Sequence, residues 1–119
     1  MMLIPQPCCA TPPLTGDPML KHIVLWKLKD EATGHTKKEN ALRIKNLLED
    51  LNGRIEGLIR LEIGLDIGAD PAAVDVALYS EFVDRAALDF YQTHPMHEAV
   101  KPLVLAVRES RTVVDFETD

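Results

Sequence analysis

The chain has 119 residues, with 13 Lys and Arg against 19 Asp and Glu, a formal charge of -6, and 46% apolar residues. That length suits one domain, and the apolar share suits a packed core rather than disorder. The acidic balance argues against a nucleic-acid footprint, and no apolar run is long enough to span a bilayer. The only cysteines, Cys8 and Cys9, are adjacent, which excludes a disulfide framework and a cysteine metal site. A reducing, cytoplasmic setting is the expectation.

Residues 1–18 read differently from the rest. They hold five of the eight prolines, both cysteines and a single charge, Asp17. Proline at this density breaks helix and ladder alike. The stretch lacks the basic and apolar regions of a secretory signal. It is expected to be an extended Pro-rich arm or a non-native leader ahead of Met19, with an arm packed on a partner subunit as the alternative. One domain then spans 19–119.

Leu20-Lys29 places Leu20, His22, Val24, Trp26 and Leu28 on one face and Ile23 and Leu25 on the other. Both faces are apolar at the centre, the pattern of a strand covered on both sides. Thr36-Lys37-Lys38-Glu39 is a capping box, and Ala41, Ile44, Leu47, Leu48 and Leu51 follow at helical spacing up to Asn52-Gly53. Leu58-Ile67 alternates as a half-exposed strand, with Ile59, Leu61, Ile63, Leu65 and Ile67 apolar. Turn chemistry leads to a further strand, Val74-Val83, closing an antiparallel pair. Asp84 caps a helix from Arg85 to about Thr93, which ends where His94 precedes Pro95. A short helix over Met96-Val104 and a strand over Val107-Phe116 complete the chain. Glu49-Asp50 reads as an exposed helix end, and Asp66, Asp70 and Asp75 as solvated loop charge. Arg108, Glu109 and Arg111 read as a charged strand edge.

This order gives an α+β fold: a ferredoxin-like four-stranded antiparallel sheet with helices on one face. The two-sided first strand asks for cover on the other face as well. A second copy of the sheet supplies it, so a homodimer through the sheet face is expected.

The chemistry-bearing residues cluster in Tyr91-Gln92-Thr93-His94-Pro95-Met96-His97 and in His22 of the first strand. Histidine titrates near neutrality and serves as base or acid, and a tyrosine hydroxyl can donate to a developing oxyanion. His97, Tyr91 and His22 are the candidate catalytic residues, with Val24, Trp26, Leu88 and His94 as candidate pocket lining. The alternative is structural: His94 bonding backbone freed by the proline break, His97 exposed on its helix, His22 and Tyr91 satisfied in the core. A metal held by His22, His94 and His97 is a further alternative. Pro95 disturbs the spacing and no carboxylate stands at a diagnostic position, so no metal or cofactor is expected.

Lys21 to Lys29, the string Tyr91 to His97 with its His-Pro-x-His core, and Val113-Val114-Asp115-Phe116 together resemble the opening strand, helix junction and closing strand of the stress-responsive dimeric α/β-barrel domain family. The resemblance covers nearly all of 19–119 and none of the arm. It implies a ferredoxin-like fold whose sheets pair into a barrel. One plant branch of the family is a polyketide cyclase that closes an aldol without a cofactor, and His22, Tyr91 and His97 match its catalytic set. That branch carries a further histidine where this chain has Val76. Related barrels host oxygenases and decyclising enzymes. The resulting expectation is a small apolar carbonyl or aromatic ligand and cofactor-independent acid–base chemistry, or else a non-catalytic stress or interaction module with a structural His-Pro-x-His string.

Overall fold

In a computed structural model of the chain, residues 19–68 and 70–118 are described; the expected arm, 1–18, lies outside them. The elements in order are β1 (Met19–Leu28), β2 (Glu31–Ala32), β3 (His35–Thr36), α1 (Lys37–Glu49), β4 (Leu58–Leu65), β5 (Val76–Phe82), α2 (Arg85–Thr93), α3 (Pro95–Glu98), α4 (Lys101–Val107) and β6 (Arg108–Thr118). The main sheet runs β4-β5-β1-β6, and every neighbouring pair is antiparallel. This is the ferredoxin-like arrangement expected from the order of elements. Among the described residues no helix is long and apolar enough to cross a membrane.

Burial along β1 alternates strictly, with Leu20, His22, Val24, Trp26 and Leu28 buried and their neighbours half-buried. The buried face meets Val76, Leu78, Ser80 and Phe82 of β5 and the apolar side of the helices. Ile23 and Leu25 point the other way and stand beside Val114 and Thr112 of β6. Ile23 and Leu25 are half-buried, while Val114 and Phe116 are 52% and 43% exposed.

The capping box forms as expected. The Glu39 amide donates to the Thr36 hydroxyl at 3.2 Å, and the Thr36 amide donates to Glu39 at 2.9 Å. Asp84 caps α2 by accepting from the Ala87 amide at 2.8 Å. Gly57, with φ at +90°, lets β4 start beneath α2; an added Cβ there would stand 2.5 Å from the Ala87 Cβ.

Four expectations need correction. The single helix over 96–104 is two, α3 and α4, because Pro102 sits in the first turn of a new helix rather than inside a continuing one. The β4 alternation holds over Leu61 and Ile63, but at its start the bulge between Leu58 and Arg60 buries Leu58 where Ile59 was expected; Ile67 lies past the strand end and is fully exposed. Glu49 is no free helix end: its carboxylate accepts from the Ile63 amide at 3.0 Å and from Lys45 at 2.9 Å. Burial raises the Glu49 pKa, but those two donors outweigh it, and the group sits below the usual carboxylate range. Asp75 is likewise no solvated charge: it accepts from the Leu28 amide at 2.7 Å and faces Lys37 at 3.5 Å.

Asn52 completes a set of side chains along β4. It donates to the Leu61 carbonyl and accepts from the Leu61 amide, both at 2.8 Å. Lys45 donates to the Ile63 carbonyl at 3.2 Å. With Glu49 on the Ile63 amide, the main-chain groups of Leu61 and Ile63 on this edge strand are bonded by the α1 side of the molecule.

Candidate functional site

A cavity of about 310 Å³ lies between the buried face of the sheet and the helices. Its floor is His22, Val24 and Trp26 of β1 with Leu78 of β5. Leu48 of α1, Tyr91 and Gln92 of α2, His97 of α3 and Val100, Lys101, Val104 and Leu105 of the α4 segment form its walls, and Arg108 and Arg111 of β6 close one side.

The helix break at Pro95 shapes one corner of the cavity. His94 adopts an extended backbone, φ -65 and ψ 135, and ends α2. Its ring nitrogen Nδ1 accepts from the Met96 amide at 3.1 Å and caps α3. The turn brings His97 back over Tyr91, so that the two rings stack with centroids 4.1 Å apart and planes 18° from parallel. Nδ1 of His97 lies 3.1 Å from the Tyr91 carbonyl oxygen. A carbonyl only accepts, so Nδ1 carries the proton, and in the neutral ring Nε2 holds the free lone pair. Burial, reinforced by the Lys101 ammonium, pushes the His97 pKa down to about 4. The ring is therefore neutral at physiological pH.

Tyr91 is 1% exposed, and its hydroxyl has no hydrogen-bond partner among the described residues. Burial pushes its pKa well above the usual phenol range, so it stays protonated. Its ring is flanked by Phe82 at 5.1 Å and His22 at 6.3 Å between centroids.

His22, 3% exposed, donates from Nδ1 to the Asp115 carboxylate at 2.5 Å. The two residues are register partners on β1 and β6. The His22 carbonyl accepts from the Ser80 hydroxyl at 2.8 Å, which fixes the backbone of the same residue.

The cavity thus brings together His22, Tyr91, His97, Val24 and Trp26. Two other expected lining residues lie elsewhere. His94 is used as a helix cap, and Leu88 faces a separate hollow with Leu20, Arg85 and Asp115. Val76 is fully buried and outside the lining. Sequence reading missed Gln92, Lys101, Arg108, Arg111 and Asp115. The signal available was the even spacing of Arg111, Val113 and Asp115, which puts both charges on one strand face. Among the described residues no cluster of His, Cys, Asp or Glu is arranged to hold a metal ion.

A ferredoxin-like α+β domain with a hollow between sheet and helices is the class that this fold defines. The chain belongs to the stress-responsive A/B barrel domain family, whose model matches residues 20–118. It is 35% identical to a dimeric protein of ferredoxin-like fold from Bacteroides fragilis, with 84% of this chain and 96% of that one covered and a TM-score of 0.68. It is 36% identical over 81 residues to an uncharacterized protein of Streptomyces coelicolor, covering 68% of this chain and 81% of the relative. A cofactor-independent oxygenase from Streptomyces nogalater shares the fold at 10% identity, with 85% and 93% coverage and a TM-score of 0.67.

Proposed function

We propose that the cavity binds a small, largely apolar carbonyl or aromatic compound and that His97, Tyr91 and His22 act on it by cofactor-independent acid–base chemistry. The observation that carries this reading is the Tyr91–His97 pair: a buried, unpartnered phenol stacked on an imidazole with a defined free nitrogen, both lining one cavity. Nε2 of His97 takes a proton from carbon next to the substrate carbonyl. The electron pair moves to the carbonyl oxygen, and the Tyr91 hydroxyl donates a hydrogen bond to the oxyanion. His22, held by Asp115, positions the ligand from the sheet side. A base whose conjugate acid has a pKa of about 4 is weak. The abstracted proton must therefore already be acidic, as between two carbonyl groups.

The apolar face of Ile23, Leu25, Val114 and Phe116 is the surface for a second copy of the chain, giving a homodimer like the Bacteroides fragilis relative. A reducing, cytoplasmic setting goes with this reading. A non-catalytic module is the second reading, favoured by His94, whose ring is occupied as a helix cap.

The test is hydrogen–deuterium exchange at the activated carbon of an alkyl 1,3-diketone. The protein should accelerate exchange, and both His97→Ala and Tyr91→Phe should remove the acceleration. Exchange unaffected by the protein, or equal in the His97→Ala variant, would falsify the acid–base reading and favour the module.

A further inference from the structure

The part of the cavity formed by Trp26 and the β6 arginines has a different chemistry from the Tyr91–His97 pair. Trp26 is 5% exposed, and its indole Nε1 is buried with no hydrogen-bond partner among the described residues. An indole N–H only donates, so its partner must be an acceptor. Leaving such a donor buried and unpaired is unfavourable, and few native groups are left so.

Arg111 is the register partner of Trp26 on the neighbouring strand, and Arg108 is the partner of Leu28. Both arginines line the same cavity as Trp26. The ion pairs of arginine among the described residues use Arg54, Arg60 and Arg85, and leave Arg108 and Arg111 without a carboxylate. Lys101, the third cation of the lining, is differently placed: it pairs with Glu98 at 3.0 Å and donates to the Gln92 carbonyl at 2.8 Å. The half-buried Arg108, the exposed Arg111 and the orphaned indole donor of Trp26 thus belong to residues that line one cavity, alongside the apolar Val24, Leu48, Leu78, Val100 and Val104.

We propose that this part of the cavity is a carboxylate subsite, and that the natural ligand is an amphipathic carboxylic acid. Its carboxylate accepts from Arg111, Arg108 and the Trp26 N–H, and its apolar body extends toward Tyr91 and His97. A planar fork matches a planar two-oxygen acceptor, which favours carboxylate over a tetrahedral phosphate. The proposal rests on the reading of the cavity as a small-molecule site and names the charge and class of its ligand.

Trp26 is the only tryptophan of the chain, so its emission reports on the subsite directly. The experiment titrates the full chain at neutral pH with para-propylbenzoate, para-propylbenzamide and para-propylphenyl phosphate. The benzoate should change the emission saturably and bind at least about tenfold more tightly than the amide. Arg111→Gln should erase that preference, Arg111→Lys should keep part of it, and Trp26→Phe, followed by thermal shift, should weaken benzoate more than amide. Equal binding of benzoate and amide, or a preference that survives Arg111→Gln with Arg108→Gln, overturns the carboxylate subsite and leaves the pocket standing. Tighter binding of the phosphate overturns the choice of carboxylate. No binding of any probe overturns the subsite and the pocket together. Benzoate binding without diketone exchange upholds the subsite and removes the acid–base chemistry.

Discussion

His22 and Asp115 lie opposite one another on β1 and β6, and the carboxylate accepts the imidazole Nδ1 proton at 2.5 Å. The pair links a residue on the cavity floor to an edge strand that the helices do not cover. His22 is almost wholly buried, whereas the Asp115 side chain is 42% exposed. The bond therefore holds an interior ring from a solvated carboxylate, and the ring depends on it for orientation.

Asp115→Ala leaves the His22 N–H without its acceptor. The expected cost is about 1–2 kcal/mol, kept low because the carboxylate is partly solvated. Urea unfolding of the variant checks this. An unchanged midpoint would show that the pair does not hold the ring.

Tyr91→Phe separates stability from activity. The hydroxyl is buried without a protein partner, so its removal should leave stability unchanged or raise it by up to about 1 kcal/mol. If Tyr91 serves the oxyanion, diketone exchange should fall by about a hundredfold. A marked loss of stability would mean that the phenol bonds to protein in solution.

The pH dependence of stability has a defined sign. His97 titrates at about 4 in the fold, against 6.5 for an unperturbed ring. Between those values the unfolded chain binds a proton that the folded chain does not. Stability from this group is thus full above pH 6.5 and is lost as pH falls toward about 4. His97→Gln should flatten the curve of unfolding free energy over that window. An equal slope in the variant would place the titration on another residue.

Gly57→Ala combines a positive φ with a Cβ only 2.5 Å from the Ala87 Cβ. Neither backbone can yield cheaply, because β4 begins there and α2 is anchored by its Asp84 cap. The expected loss is about 2–3 kcal/mol. Thermal unfolding with a midpoint near that of the native chain would show that α2 shifts away without cost.

Which features could be read from the sequence follows from how far apart their causes lie. The Thr36–Glu39 capping box, the Asp84 cap and the break before Pro95 are decided within four residues, and each forms where the sequence puts it. The faces of β1 and β5 follow from simple alternation. The bulge after Leu58 and the structural use of Glu49 and Asp75 depend on partners 14 to 47 positions away, where local pattern carries no information. The site divides in the same way. Tyr91 and His97 share one short string, and the proline turn that joins them is visible in it. Arg111 and Asp115 reach the site only through the pairing of β6 with β1, some 85 to 93 positions distant.

The side chains along β4 have a consequence for assembly. Asn52, Glu49 and Lys45 occupy the amides and carbonyls that Leu61 and Ile63 would otherwise offer to an incoming strand. A β-ribbon can propagate through identical copies only if both of its edges accept a neighbour. Here the middle of one edge is already occupied by the molecule's own side chains, which disfavours growth in that direction. An incoming strand would have to displace all three of these side chains before it could pair along the middle of β4.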